Sequence, residues 1–323
     1  MEIMRVLVTT PYGLDSLQGN TVSAKRIVSL LHEAGLDSEV VSDGSSFADA
    51  DVLIALHARK SAHFIDAFLH ANPEGKVLLY LTGTDLYSDI PKGCVISDNS
   101  MKQADALVVS QEASFHSVPE KYQSKVSVIY TSIQLPKHEL YASDNGVSIF
   151  SCIGHLRAVK QPFMAVNALQ LLDEEVQLKL LGDVVDEGLD KVAQDWQDKD
   201  HRFQWLGSLP HADTMQWMKN SLVTLNTSVM EGGANSVGES IVLGVPVLAS
   251  RIEGNIGMLG ADYDGYFSAE PADGVQELAD LMQRVLHDKA FLKHLQRQAQ
   301  ERSTKFTREN EKLGWMNLIK GVE

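Results

Sequence analysis

Only two cysteines occur in the 323 residues, Cys94 and Cys152. Neither has a partner at metal-binding spacing. That excludes a zinc module or a disulfide scaffold and predicts two free thiols in a reducing compartment. Long apolar runs are lacking too, since none approaches the roughly 20 residues that a membrane span needs. The chain enters a strand-like segment at Arg5 without a basic stretch, an apolar core and a cleavage site. A secretory leader is therefore not expected, and a cytoplasmic location is. Basic residues are scarce: 28 Lys and Arg stand against 43 Asp and Glu, for a formal charge of −15. That balance excludes sequence-independent nucleic-acid binding, which needs a basic face, and it makes local clusters of cations stand out. No Gly-x-Gly-x-x-Gly fingerprint is present, and no Asp, His and Glu spacing suggests a metal. No cofactor and no metal are expected. Repeats of fixed period and low-complexity tracts are absent as well.

What the chain does have is the composition of a soluble globular protein, 44% hydrophobic and 22% charged, at a length comfortable for two domains. Short apolar runs alternate with helix-length amphipathic stretches. Strands are predicted at 5–10, 38–42, 52–56, 77–81, 106–110 and 126–130, then at 147–153, 176–181, 203–206, 223–227 and 246–250. Helices are predicted between them, notably at 21–34, 61–71, 162–172, 213–219 and 236–243. Near-continuous apolar strands alternating with helices predict an α/β protein with parallel sheets covered on both faces. The polar, turn-rich stretch 135–146, with Pro136, His138, Asp144, Asn145 and Gly146, marks the domain junction. The expected organisation is an N-terminal domain at 1–140, a C-terminal domain at 141–305 and a final helix at 306–323 bearing Leu313, Trp315, Met316 and Ile319. Each domain would be a doubly wound, Rossmann-like sheet facing a cleft, with ligands bound beyond the carboxyl ends of the strands.

The run from Glu231 through Gly232, Gly233, Ala234, Asn235 and Ser236 to Glu239 lies at such an end. Its glycines expose backbone N–H groups at the start of a helix, where anions are favoured. Its two carboxylates can accept hydrogen bonds from sugar hydroxyls. A plainer reading is also open: Ser236 and Glu239 have the spacing of a capping box, and a tight turn alone would use Gly232 and Gly233.

Other strand ends carry cations and donors. Gly19 and Asn20 open a helix after the first strand, either as phosphate or sugar contacts or as a loop and an N-cap. His57, Arg59 and Lys60 follow the third strand at a helix start, the wrong end of the dipole for cations, so a bound anion would relieve the conflict. Thr82, Gly83, Thr84 and Asp85 follow the fourth strand; Asp85 reads first as an N-cap, and the hydroxyls suit phosphate or sugar. His155, Arg157 and Lys160 follow the first strand of the second half and suit a diphosphate whose charge grows as it leaves. Gly207 ends the strand at 203–206 and could frame a nucleobase, although Phe203 and Trp205 there read as core.

The second half, about 147–250, resembles the retaining glycosyltransferases of the GT-B fold, family 4. The matching elements are Gly154-x-Leu156-x-x-x-Lys160, Leu206-Gly207, Glu231 seven residues before Glu239, and Gly244-x-Pro246-Val-x-Ala249. The resemblance implies that Glu239 binds the nucleotide ribose, Glu231 the donor-sugar hydroxyls, and Lys160 the diphosphate, with Arg157 beside it. The turn from Gly232 to Asn235 would hold sugar and phosphate through backbone N–H groups, and the terminal helix would cross back to the first domain. His155 stands where an arginine is usual, and Thr82 where a histidine is. Longer stretches, among them Ala55 to Ser61, Leu81 to Tyr87, Glu231 to Asn235 and Ala249 to Asn255, resemble a narrower group, the selenosugar synthases of selenoneine biosynthesis.

That narrower resemblance implies transfer of a sugar from UDP-N-acetylglucosamine or UDP-glucose to selenophosphate, with His57, Arg59, Lys60 and residues 82–85 on the acceptor side. Selenophosphate is already ionised and needs no general base, and no obvious base is present. A glycosyltransferase with a hydroxyl acceptor, a sugar-nucleotide epimerase of the same fold and a non-catalytic binding protein are the alternatives.

Overall fold

The structure is a computed structural model, and it describes residues 4–15, 19–42, 46–136, 140 and 146–322. Gln18 and most of the predicted junction, 137–139 and 141–145, lie outside the described residues. The chain forms two compact units: the first holds Met1–Ser132 and Thr307–Glu323, the second Ile133–Phe306.

In the first unit six strands form one sheet: β1 (Arg5–Thr9), β2 (Asp37–Val41), β3 (Val52–Leu56), β4 (Lys76–Tyr80), β5 (Ala106–Val109) and β6 (Val126–Val128). All neighbours pair in parallel, in the order β2-β1-β3-β4-β5-β6. With a side-chain period of two and both faces covered, the central strands β1, β3, β4 and β5 are almost continuously apolar, whereas edge strand β2 opens on Asp37, Ser38 and Glu39. Leu7, Leu53, Ala55, Val77, Leu79 and Leu107 join the core on one face, with Ile65 and Phe68. Val6, Val8, Ile54, Leu78 and Val108 join the other, against Ala24, Ile27, Leu30 and Leu31. Those helical residues come from α1 (Gly19–Glu33), whereas Ile65 and Phe68 belong to α2 (Ala62–Ala71); α3 (Val95–Gln103) follows. Chain order reverses between β1 and β3, which makes that pair the topological switch point of the sheet.

The second unit repeats the plan with β7 (Ile149–Ile153), β8 (Gln177–Leu181), β9 (Phe203–Gly207), β10 (Val223–Asn226), β11 (Val247–Ser250) and β12 (Tyr266–Phe267). Its order is β12-β11-β10-β7-β8-β9, again parallel throughout, and the switch point falls between β7 and β10. The helices are α4 (Met164–Leu169), α5 (Leu189–Lys199), α6 (His211–Lys219), α7 (Asn235–Leu243), α8 (Glu253–Leu259), α9 (Pro271–His287) and α10 (Lys289–Glu301). The chain closes with α11 (Arg308–Val322), which belongs to the first unit. Trp315 and Ile319 of α11 are buried in the core with α1, and the Trp315 ring meets Tyr80 edge to face at 6.1 Å. Buried Glu311 accepts from Arg26 at 3.1 Å and from the Ser132 N–H at 2.7 Å. Among the described residues no helix is long and apolar enough to cross a membrane.

Candidate functional site

The switch point of the second sheet gathers Lys160 and Glu231. Lys160 lies beyond β7 and Glu231 beyond β10, and their side chains form a close ion pair. The carboxylate of Glu231 also accepts from Ser228 Oγ at 2.7 Å. The backbone around Lys160 is fixed by the end of β10. Thr227 Oγ1 donates to the carbonyls of Lys160 (2.8 Å) and Gln161 (3.0 Å), and Val229 N–H donates to Val159 O at 2.9 Å. Gln161 accepts this with a positive φ of 43°, a left-handed conformation uncommon for a residue with a side chain. A shallow depression is lined here by Gly154, Lys160, Asn226, Thr227 and Ser228.

The loop that carries Lys160 is latched to the end of β8. Leu156 is buried, donates its N–H to Asp183 O and accepts from Val185 N–H. Ala158 N–H reaches Asp186 Oδ2 at 2.6 Å. Gly182 has a φ of +146°, and a Cβ there would meet the Gly154 carbonyl and come within 2.8 Å of His155 N, so only glycine lets the two loops touch. His155 Nδ1 accepts from Asp183 N–H at 3.1 Å. Arg157 is exposed, and its carbonyl accepts from the Lys160 N–H at 2.9 Å.

The capping box that the spacing of Ser236 and Glu239 also allowed does not form. α7 begins at Asn235, its N-cap is Ala234, and no side chain caps it. The helix starts before Ser236, so Glu239 is released from the helix start and accepts instead from His211 Nε2 at 2.7 Å. That bond holds the His211 imidazole above its ordinary value. Gly232 and Gly233 form the half-buried turn into α7, and Ala234 is buried. Gly207 ends β9 with a φ of 69° and accepts from Gly182 N–H at 2.8 Å; sheet order keeps it two strands from β7. Gly19 and Asn20 are the first two residues of α1, in the first unit.

In the first unit the expected acceptor residues meet partners of their own. His57 is buried with a φ of 77°, its Nδ1 2.6 Å from Asp85 Oδ1. Arg59 pairs with Asp89 at 2.8 Å. Lys60 donates to Tyr12 Oη at 2.6 Å and lies over that ring. The electrostatic conflict of cations at a helix start is thus met within the protein by Asp85 and Asp89. Tyr12 follows β1 and Lys60 follows β3, so their bond sits at the switch point of this sheet. Asp85 is fully buried and is not an N-cap: one turn further in, it accepts from the Thr82 N–H (2.9 Å) and hydroxyl (3.0 Å) and from Ala58 N–H (3.0 Å). Gly83 and Thr84 begin the helical segment, with Thr84 exposed, and Asp85–Asp89 continue it as a π-turn, a form often found at functional sites.

His57, Asp85 and Asp89 are also the one group among the described residues whose ligand atoms lie close enough, within 4.8 Å, to hold a metal ion. Their oxygens are already engaged by Ala58, Thr82 and Arg59. Both cysteines are free, and burial pushes the Cys152 thiol up to about 11, which leaves it protonated and inert at neutral pH.

Sequence reading missed Tyr12, Asp89, Thr227, Ser228 and His211. Their roles depend on which strands become neighbours, which no local pattern records; Ser228, three residues before Glu231, was the one within reach of the motif itself.

Two doubly wound parallel α/β units in one chain form the GT-B glycosyltransferase fold. Anabaena HepE in complex with UDP and glucose superposes with a TM-score of 0.78 at 15% identity, over 98% of this chain and 100% of that one. Sucrose-phosphate synthase from Thermosynechococcus elongatus gives 0.81 at 12%, over 99% of each. The family "Glycosyl transferases group 1" matches residues 136–302, just over half of the chain, and the chain belongs to that family. Glycosyltransferase 1 domain-containing protein 1 of Xenopus tropicalis is 27% identical over 137 residues, 42% of this chain. The match takes in only 40% of that curated relative's length.

Proposed function

We propose that the protein is a glycosyltransferase that takes a UDP-sugar as donor and selenophosphate as acceptor. The observation that carries the donor half is the Lys160–Glu231 pair at the switch point of the second sheet, where doubly wound sheets bind their ligands. HepE, of the same fold, is known in complex with UDP and glucose. On this reading the ammonium of Lys160 moves from Glu231 to the diphosphate and stabilises the charge that grows as UDP leaves. Glu231, relieved of its cation, accepts from sugar hydroxyls, and Glu239 accepts from the ribose. The N–H groups that open α7 face phosphate or sugar.

The acceptor half rests on the resemblance of the segments around His57, Thr82, Glu231 and Asn255 to selenosugar synthases. Selenium attacks the anomeric carbon, the C–Se bond forms, and the electron pair of the C–O bond departs with UDP. Arg59, 40% exposed at its side chain, and Lys60 supply positive charge for the selenophosphate. The test incubates protein, UDP-N-acetylglucosamine or UDP-glucose, and selenophosphate, with mass spectrometry for UDP and a selenium-bearing sugar. UDP released with a hydroxyl acceptor and none with selenophosphate sinks the acceptor. UDP-sugar isomerised without any acceptor makes the protein an epimerase.

Glu239→Ala raises the KM for the UDP-sugar about tenfold or more, the worth of a hydrogen bond to a charged group, with kcat little changed. The imidazolium of His211 competes with ribose for that carboxylate. Because the bond to Glu239 raises the folded-state pKa of His211, the ion pair is complete below about 6.5, the ordinary histidine value, and is lost as pH rises through the raised one. KM for the UDP-sugar therefore falls as pH rises through that window, and His211→Gln flattens the profile. A KM independent of pH in the unmodified protein refutes the competition.

A further inference from the structure

Glu231 is held from below by a buried polar chain with no part in the motif that names it. Ser228 Oγ donates to the Glu231 carboxylate at 2.7 Å. The carbonyl of Ser228 accepts from Ser250 Oγ, at the end of β11. The Ser250 carbonyl and hydroxyl accept from Asn255 Nδ2 at 2.9 and 3.2 Å. The same Nδ2 donates to Asn226 Oδ1 at 3.0 Å, and Asn226 Oδ1 also faces the Ser228 N–H at 3.4 Å. Ser228, Ser250 and Asn255 are at most 2% exposed, and Asn226 4%.

The backbone of Glu231 is fixed by the same short segment. A Cβ on Gly254 would fall on the Glu231 carbonyl oxygen and 2.8 Å from the Glu231 carbonyl carbon and Cβ. Gly254 and Asn255 open α8, so one turn grips Glu231 twice: its backbone through van der Waals contact, its carboxylate through Ser250 and Ser228. Two of the acceptors around Nδ2 are carbonyl oxygens, which fixes the orientation of the amide. Its own Oδ1 is left buried without a partner, an uncompensated atom of a kind uncommon in cores.

We infer that Asn255 and Ser228 are positioning residues for sugar transfer, setting the carboxylate of Glu231 against the donor sugar. The inference rests on the donor reading above and adds what holds the carboxylate in place once Lys160 turns to the diphosphate. Ion pairing alone would let Glu231 follow the lysine. Ser228 keeps it, because its hydroxyl is anchored on buried backbone that cannot move with the ligand.

The test is a calorimetric titration of the full chain with UDP, UDP-glucose and UDP-N-acetylglucosamine. Ser228→Ala and Asn255→Asp, which keep side-chain volume close to the original, raise the Kd of the better UDP-sugar about tenfold, the scale of a lost hydrogen bond to a charged group. Both leave the Kd of UDP unchanged, a split that general destabilisation would not give. If the buried carboxylate of Asn255→Asp prevents folding, Ser228→Ala carries the test alone. In a Glu231→Gln background Ser228→Ala adds nothing further. A full additional loss there, or unaltered sugar affinity in the single variants beside a normal loss in Glu231→Gln, overturns the positioning role alone. Unaltered affinity in Glu231→Gln itself overturns the donor reading and the positioning role with it.

Discussion

Lys160→Ala lowers kcat by two to three orders of magnitude, about the loss seen when a preorganised donor to a developing oxyanion is removed, and changes the affinity for UDP far less. Without substrate the Lys160 side chain pairs with Glu231. Its ammonium neutralises Glu231, whose side chain is only 10% exposed, so the charge stands beside the site before the diphosphate arrives and has only to turn to it. On the proposed donor reading, negative charge on the leaving group increases as the glycosidic C–O bond breaks, and the attraction to Lys160 increases with it. That is the condition under which an interaction appears in kcat rather than in KM. The substitution spares the local fold, because Thr227 holds the Lys160 and Gln161 carbonyls through the backbone. Lys160→Met, which restores the aliphatic stem but not the charge, shows the same rate loss as alanine. Steady-state kinetics with UDP titration of each variant decide it: a kcat within threefold of the unmodified protein in Lys160→Met would detach Lys160 from the chemistry.

The strands were legible because parallel sheets bury both faces. Val52–Leu56, apolar at every position, was predicted residue for residue, and other strands shifted by one or two residues at their ends, where assignment is least certain. The two-residue β12 and the short α8 carried too little periodicity to be seen. Lys160 and Glu231 were each legible as strand-end residues. That they touch was not, because strand order, β10 beside β7, decides it. Asp85 is not the N-cap that local rules suggest, and Glu239 is not the capping-box acid that its spacing also allowed. Glu239 and Asp85 have the spacing and identity of helix-start residues, yet one bonds His211 from another helix and the other gathers Thr82 and Ala58 from two loops. Charge reading at His57, Arg59 and Lys60 found the cluster but not its partners. The cations stood out in a chain of net charge −15, while Asp89 and Tyr12, which partner two of them, are separated from them by tens of residues.

Gly254→Ala produces the second large effect, and it acts on Glu231 without touching any charge. The added Cβ would meet backbone, the Glu231 carbonyl, with the carbonyl carbon and Cβ at 2.8 Å. Backbone cannot rotate aside as a side-chain tip can, so either α8 or the turn before Gly232 must shift. Displacement of the turn by about 1 Å costs on the order of a hundredfold in rate, and overpacking of this kind costs about 1–3 kcal/mol of stability. The displaced carbonyl also belongs to the residue whose carboxylate Ser228 holds, so the strain spreads into the Ser250–Asn255 network rather than relaxing locally. Gly321→Ala, where an added Cβ meets nothing within 4 Å, leaves rate and stability unchanged and controls for the chemistry of the substitution. Thermal unfolding and UDP-sugar kinetics on the two variants separate the outcomes. A lower melting temperature with unchanged kcat means that α8 yields and Glu231 stays in place. A lowered kcat with UDP affinity retained means that the turn yields, as expected from a helix start buried at both Gly254 and Asn255 and hydrogen-bonded to Ser250 at the end of β11.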